Sequence, residues 1–345
     1  MIERPHAGGE RTGQRLSGDP DLDFSVVGTG AVGRRAVRNL VSSGFTRIGV
    51  HDLETGVAEQ VAKASGHHVR AVSAAEAFDA RVVVFAHPGD QCPSVRTVLE
   101  RGNHAVSVVD DLEEYRRLAD LGPLAHALGG TLVLGAGMSP GLSGLLARFL
   151  ADRLDDVDEV HVAIHGTGGP ACARQHHRSL GNTGLVWHDN DWVGRPGGSG
   201  RELCWFPDAA GSHDCYRAEL VDPLVLHEAF PMAARVGARR SATRRDRLTA
   251  RLPMLSPPPA EGGMGGIRVE VRGSRGGARV TYVAGVAERP SVAAGVTAGV
   301  LAGAVFEGRV KPGRVQPGRD ELPTGELLDR IRRSGIQLHE FTGGS

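Results

Sequence analysis

From Phe24 onward the chain alternates short β-branched and aromatic runs with stretches whose apolar positions recur every three or four residues. That is the pattern of a parallel sheet covered on both faces. Six strands are expected, at Phe24–Val27, Arg47–His51, His68–Val72, Arg81–Phe85, Ala105–Val109 and Thr131–Leu134. Between them Val32, Ala36, Val37 and Leu40 repeat at helical spacing and Gly44 follows as a stop. A helix over Glu54–Ala64 comes next, then one over Pro93–Arg101 carried by Val95, Val98 and Leu99. Leu112–Leu128 is helical too, with Pro123 marking a break or a new start.

After Gly137 the rhythm becomes longer, richer in glycine and less regular, so a second domain begins near Met138. Its readable pieces are a helix at Leu142–Leu154, a strand at Glu159–His165, and a hairpin at Gly266–Gly285 about a turn at Gly273–Gly277. Two helices close the chain, at Ser291–Glu307 and Glu321–Ser334, and proline-rich Leu252–Gly266 is a loop. The fold class is therefore α/β, a doubly wound N-terminal domain followed by an α+β domain built on a mixed sheet.

The first strand runs into Gly28-Thr29-Gly30-Ala31-Val32-Gly33 and the first helix, a G-x-G-x-x-G between strand and helix. Gly28 permits the tight turn and Gly30 lets a pyrophosphate approach the backbone. Gly33 lets helix and strand lie close, while the helix N-terminus offers free N–H groups to phosphate. Asp52 follows the second strand, 24 residues after Gly28, near the spacing at which a carboxylate accepts bonds from the adenosine ribose. That carboxylate repels a 2′-phosphate and no arginine follows it, which selects NAD with NADP as the alternative. A helix N-cap role competes for Asp52. Ligands of open α/β sheets bind beyond the carboxyl ends of strands, so Ala86-His87-Pro88, Asp110 and Gly137 join the expected cofactor residues by topology. For His87 a surface loop, and for Asp110 or Asp111 a helix cap, are the competing readings.

Composition narrows the partners. With 40 Lys+Arg against 40 Asp+Glu there is no global field to draw the protein onto nucleic acid or an anionic membrane. Four cysteines without close pairing read as reduced thiols, which points to the cytoplasm. Segment 1–22 is polar, lacks the apolar stretch of a signal peptide, and is expected to be a disordered tail. Ser291–Phe306, although uncharged, is too short and too rich in Ala and Gly to span a membrane. Lysine occurs only at positions 63 and 311, so lysine-based chemistry has almost no candidates.

The segment Gly135-Ala-Gly137-Met-Ser-Pro140-Gly141-Leu-Ser-Gly-Leu-Leu-Ala147 resembles the join between the two domains of saccharopine dehydrogenase-like oxidoreductases. The Trp205-Phe-Pro207 motif and the late hairpin leading to Glu288-Arg-Pro290 and an Ala/Gly helix extend the resemblance over most of Phe24–Gly318. It implies a Rossmann domain at 23–138, a substrate or dimerisation domain at 139–290, and C-terminal helices at 291–345 returning to the first domain. It also implies hydride transfer at a carbon–nitrogen or keto group of a small amino-acid-type carboxylate. A homodimer is the expected assembly. A catalytic lysine and histidine pair of the lysine-forming enzymes does not align here. The rival reading is a dinucleotide-binding sensor or scaffold without turnover.

In the second domain, Gly166-Thr-Gly-Gly169 leads into Pro170–Arg178, with Arg174 and Arg178 one helical turn apart to suit a carboxylate and His176 or His177 to exchange a proton. His213, Asp214, Cys215 and Tyr216 gather acid/base types in a row. His177, Asp214 and Tyr216 are the expected catalytic residues. A metal at His213, Asp214 and Cys215 would need adjacent side chains to converge, so no metal is expected. The arginines Arg235, Arg239, Arg240, Arg244, Arg245, Arg247 and Arg251 read by default as a solvated helix face, with one of them contacting a substrate carboxylate as a stronger alternative than nucleic-acid binding.

Overall fold

The computed structural model describes residues 21–254 and 261–341. Most of the expected disordered tail, part of the proline-rich loop and the last four residues lie outside them. Leu22, assigned to the tail, is buried: its carbonyl accepts from the Arg81 amide and it packs in the core beneath the first sheet.

The N-terminal unit runs β1 (Phe24–Val27), α1 (Ala31–Ser42), β2 (Ile48–His51), α2 (Thr55–Ser65), β3 (Val69–Ala71), α3 (Ala74–Phe78) and β4 (Val82–Phe85). It continues through α4 (Cys92–Glu100), β5 (His104–Ser107), α5 (Leu112–Ala119), α6 (Gly122–Ala127) and β6 (Thr131–Leu134). Pro123 starts α6, as a residue with no amide proton to lose. All six expected strands form and pair in parallel. β1, β4 and β6 are buried along their whole length, as strands covered on both faces must be.

The chain then passes through α7 (Leu142–Ala151), β7 (Asp156–His165), α8 (Pro170–Ser179), β8 (Thr183–His188), β9 (Asp191–Pro196), β10 (Glu202–Trp205) and β11 (Ser212–Tyr216). Next come α9 (Asp222–Ala229), β12 (Arg235–Ser241), α10 (Arg244–Thr249), β13 (Gly265–Arg275) and β14 (Ala278–Glu288). The second sheet is mixed, ordered β10-β11-β12-β7-β13-β14 with β8 and β9 appended to β12. The hairpin turn is shorter than expected. Gly276 and Gly277 both hold positive φ, 57° and 79°, which fits a two-residue turn matching the twist of the strands, so the strands run on to Arg275 and Ala278. The expected helix over the arginine run is also corrected. Arg235–Ser241 is strand β12, buried between β7 and β11, and only Arg244–Thr249 is helical.

The chain closes with α11 (Pro290–Phe306), β15 (Gly313–Val315), α12 (Thr324–Arg333) and β16 (His339–Glu340). β15 adds a seventh parallel strand beside β6, giving the order β15-β6-β5-β4-β1-β2-β3, and β16 joins β14. α11 lies against α1 of its own chain. Glycine makes this approach: a Cβ on Gly295 would stand 2.3 Å from the Arg35 Cβ and 2.6 Å from the Val32 carbonyl oxygen. One apolar core therefore runs unbroken from the first sheet through α11 and α7 into the second. Among the described residues no helix is long and apolar enough to cross a membrane.

Candidate active site

The glycines of the β1–α1 turn divide their tasks. Gly28 has φ +91°, and a Cβ there would stand 2.7 Å from the His87 Cβ, so the turn rests on the loop after β4. A Cβ on Gly33 would lie 1.9 Å from the Gly28 carbonyl oxygen, while one on Gly30 would meet nothing within 4 Å. The open side is therefore at Gly30. α1 begins there with no side-chain cap and no acidic residue in its first turn, leaving its terminal amides available to an anion.

Asp52 holds this turn in place. Its Oδ2 accepts from the Thr29 amide (2.7 Å) and hydroxyl (2.9 Å), and its Oδ1 accepts from the Glu54 amide (3.2 Å). Burial works against the charged form, but these hydrogen bonds outweigh it and hold the carboxyl below its ordinary value. Thr29 is wholly buried in serving the acid. Glu54, two residues on, begins the rim of the cleft.

That cleft, about 790 Å³, opens between the two domains. Gly30, Ala31, Val32, Ala86, His87, Pro88, Asp110 and Gly137 line it; Gly28, Thr29, Gly33 and Asp52 shape its wall from behind. Facing them are Ile164, Gly168 to Cys172, Arg174 to His176 and Arg178, with Pro290 and Ala294 from α11. The turn before α8 repeats the device of the first domain. Gly166 and Gly169 hold φ +84° and +130°, Pro170 opens the helix, and no side chain caps it.

Helical phase separates the two histidines, since successive residues point about 100° apart. His176 faces the cleft and is buried. His177 turns beneath α10, where its Nε2 lies 2.8 Å from the Thr249 carbonyl oxygen. The structure thus takes His177 away from the cleft and brings its neighbour in. Asp214 pairs with Arg201 at 2.9 Å, and Tyr216 is buried under the Arg247 guanidinium, 4.2 Å from the ring centre. Neither lines the cleft.

What converges instead is Asp110, Cys172 and His176. The Cys172 sulfur is 3.6 Å from both ring nitrogens of His176 and 4.0 Å from Asp110 Oδ2, and His176 Nε2 is 3.6 Å from the same oxygen. Burial first, and the Asp110 charge second, push the Cys172 thiol up to about 12. Burial and then the nearby Arg240 charge hold His176 below its ordinary value, against the pull of Asp110. Asp111 caps α5 through the Glu114 amide (3.0 Å) and accepts from Gln175 (2.8 Å), tying the domains together at the cleft edge.

Behind the cluster stands Arg240, which the expected helix face had hidden. Ile164, Arg240 and Tyr216 are register neighbours across β7, β12 and β11, so their side chains leave one face of the sheet, the face that Ile164 brings to the cleft. Arg240 is 5% exposed, and its Nε and Nη1 have no hydrogen-bond partner among the described residues. Burial drags its guanidinium down to about 10. Val236-Gly-Ala-Arg-Arg-Ser241 shows no apolar/polar alternation, so periodicity left no signal for a strand at this position.

No family model matches the sequence. Among solved structures, the chain is similar to apo saccharopine dehydrogenase (L-Glu forming) from Saccharomyces cerevisiae, with a TM-score of 0.67 at 14% identity, covering 93% of this chain and 99% of that one. DAP dehydrogenase of C. glutamicum in complex with DAP aligns at a TM-score of 0.49 and 14% identity, over 91% and 99% of the two chains. GenD2 from gentamicin A biosynthesis, in complex with NAD, aligns at 0.47 and 17%, over 99% and 100%. The fold is that of the yeast enzyme.

Proposed function

We propose that this chain is an NAD(P)-dependent oxidoreductase, preferring NAD, that acts on a small carboxylate-bearing substrate of amino-acid type at an amine, imine or keto group. The observation that carries the reading is the one cleft that joins the uncapped end of α1 to a polar cluster backed by the buried Arg240, whose Nε and Nη1 have no hydrogen-bond partner among the described residues. The yeast saccharopine dehydrogenase, whose fold this chain shares, supports it.

The dinucleotide fits the residues present. The open face of Gly30 leaves room for a pyrophosphate against the α1 amides, and a Cβ there would fill that room. A carboxylate has about four acceptor sites, and three on Asp52 are taken, leaving one at Oδ1 for a ribose hydroxyl. The cofactor, when bound, supplies hydride exchange. The protein supplies the rest. A substrate carboxylate reaching Arg240 would give its Nε or Nη1, which have no hydrogen-bond partner among the described residues, a charged acceptor. With its carboxylate held there, the reacting group would rest against Asp110, Cys172 and His176. α11 and α8 close two sides of the cleft against water.

Titration with NADH and NADPH, followed by fluorescence, tests the first half. Tighter NADH binding and turnover with amino or keto acids support the proposal. Binding without turnover on any such acid favours a sensor, and no binding of either nucleotide refutes the reading.

A further inference from the structure

We propose that Asp110, Cys172 and His176 form a three-ligand site for a divalent metal of the zinc type, open on the cleft side. The residue types are those of zinc coordination, a thiolate, an imidazole and a carboxylate. Their spacing is the stronger argument. Metal–ligand lengths of about 2.3 Å to sulfur and about 2.0–2.2 Å to nitrogen and oxygen, at tetrahedral angles, put ligand atoms about 3.4–3.6 Å apart. The three edges here are 3.6, 3.6 and 4.0 Å, and because the sulfur is also 3.6 Å from Nδ1, the imidazole must turn about its Cβ–Cγ bond to aim Nε2 at an ion. The His176–Asp110 separation is long for a direct hydrogen bond, the two sulfur contacts are of hydrogen-bond length for a thiol, and all three are within half an ångström of the edges of a coordination tetrahedron. Among the described residues, no other group of histidine, cysteine and acidic side chains has this geometry.

The architecture presents the ligands together. Cys172 and His176 stand four residues apart on α8 and so share one face of the helix. Asp110 approaches from the loop after β5 in the first domain, so an ion would clamp the two domains across the cleft. The Gly168 amide lies in hydrogen-bonding reach of the sulfur and the Gly166 carbonyl in reach of the imidazole, the outer partners that orient metal ligands elsewhere. A thiolate, a carboxylate and a neutral imidazole balance a divalent ion, which leaves the guanidinium free for a substrate anion. Any catalytic use of the ion rests on the oxidoreductase reading above, whereas its binding does not.

Cobalt(II) titration of the full chain, stripped with chelator and kept reduced, is the test. One equivalent should bind with the visible bands of a tetrahedral site and a near-ultraviolet thiolate-to-cobalt band. Cys172→Ala should abolish the thiolate band, His176→Ala should weaken binding on the order of 100-fold, and Cys204→Ala should change neither. A wild type without the thiolate band, or a band that survives Cys172→Ala, overturns the proposal. NADH titration of the same samples reports folding and keeps the two readings apart. Nucleotide binding without cobalt binding sinks only the metal site, and cobalt binding without nucleotide binding sinks only the cofactor reading.

Discussion

Arg240→Met should make the protein more stable and less competent. The fall of the guanidinium from its ordinary 12.5 to about 10, at about 1.4 kcal/mol for each tenfold change in proton affinity, corresponds to roughly 3 kcal/mol of penalty on the charged form. Methionine keeps most of the apolar stem and removes the charge. That figure is already net of the attraction to Asp110 and Asp246, so the expected stabilisation is up to about 3 kcal/mol. The sign follows from the direction of the shift. A base whose folded value is depressed costs stability wherever it must stay charged, so the deficit of the wild type is constant below pH 10 and shrinks only above it. Urea denaturation of both proteins between pH 6 and 9 reads this directly, and thermal melting should rise by roughly 2–4 °C per kcal/mol. Turnover of a carboxylate substrate should fall by a factor of up to about 100, since a charge-assisted hydrogen bond is worth up to about 3 kcal/mol. A variant destabilised by more than about 1 kcal/mol would refute the reasoning and make Arg240 a structural ion partner.

Asp52→Ala strips the acceptor from the buried Thr29 amide and hydroxyl, so NADH affinity should drop at least about tenfold while NADPH loses less; equal losses in a fluorescence titration would contradict the assigned role. Gly33→Ala forces a Cβ to within 1.9 Å of a backbone oxygen and should cost about 1–3 kcal/mol in denaturation along with nucleotide binding. Gly56→Ala, in open space on α2, should be neutral or stabilising by up to about 1 kcal/mol. His165, stacked on His213 at 3.5 Å, is held down to about 4, chiefly by burial. Its neutral form is the folded one, so stability should be full above pH 6.5 and decline as pH falls toward 4, and His165→Phe should flatten that decline in urea midpoints.

The first sheet, β15 aside, and most of its helices were legible in the residues alone. Strand and helix periodicities are local, and the demands of a βα turn fall on residues a few positions apart, so the six strands and the tight packing at Gly28 and Gly33 could be read before any folding. The resemblance carried by Gly135–Ala147 extended that reading to a two-domain plan. Tertiary structure decided the chemistry. Asp110 lies 62 positions from Cys172, and nothing local to either indicates that they meet. The choice between His176 and His177 depends on which face of α8 meets the cleft, set by packing against α10 rather than by the helix itself. Arg240 looked like one more solvated arginine because composition masked a buried strand, and β15 was too short to carry a period of its own. Periodicity reports which face of an element is apolar. It cannot report which polar side chains the sheets bring to one point, because that follows from long-range pairing of strands.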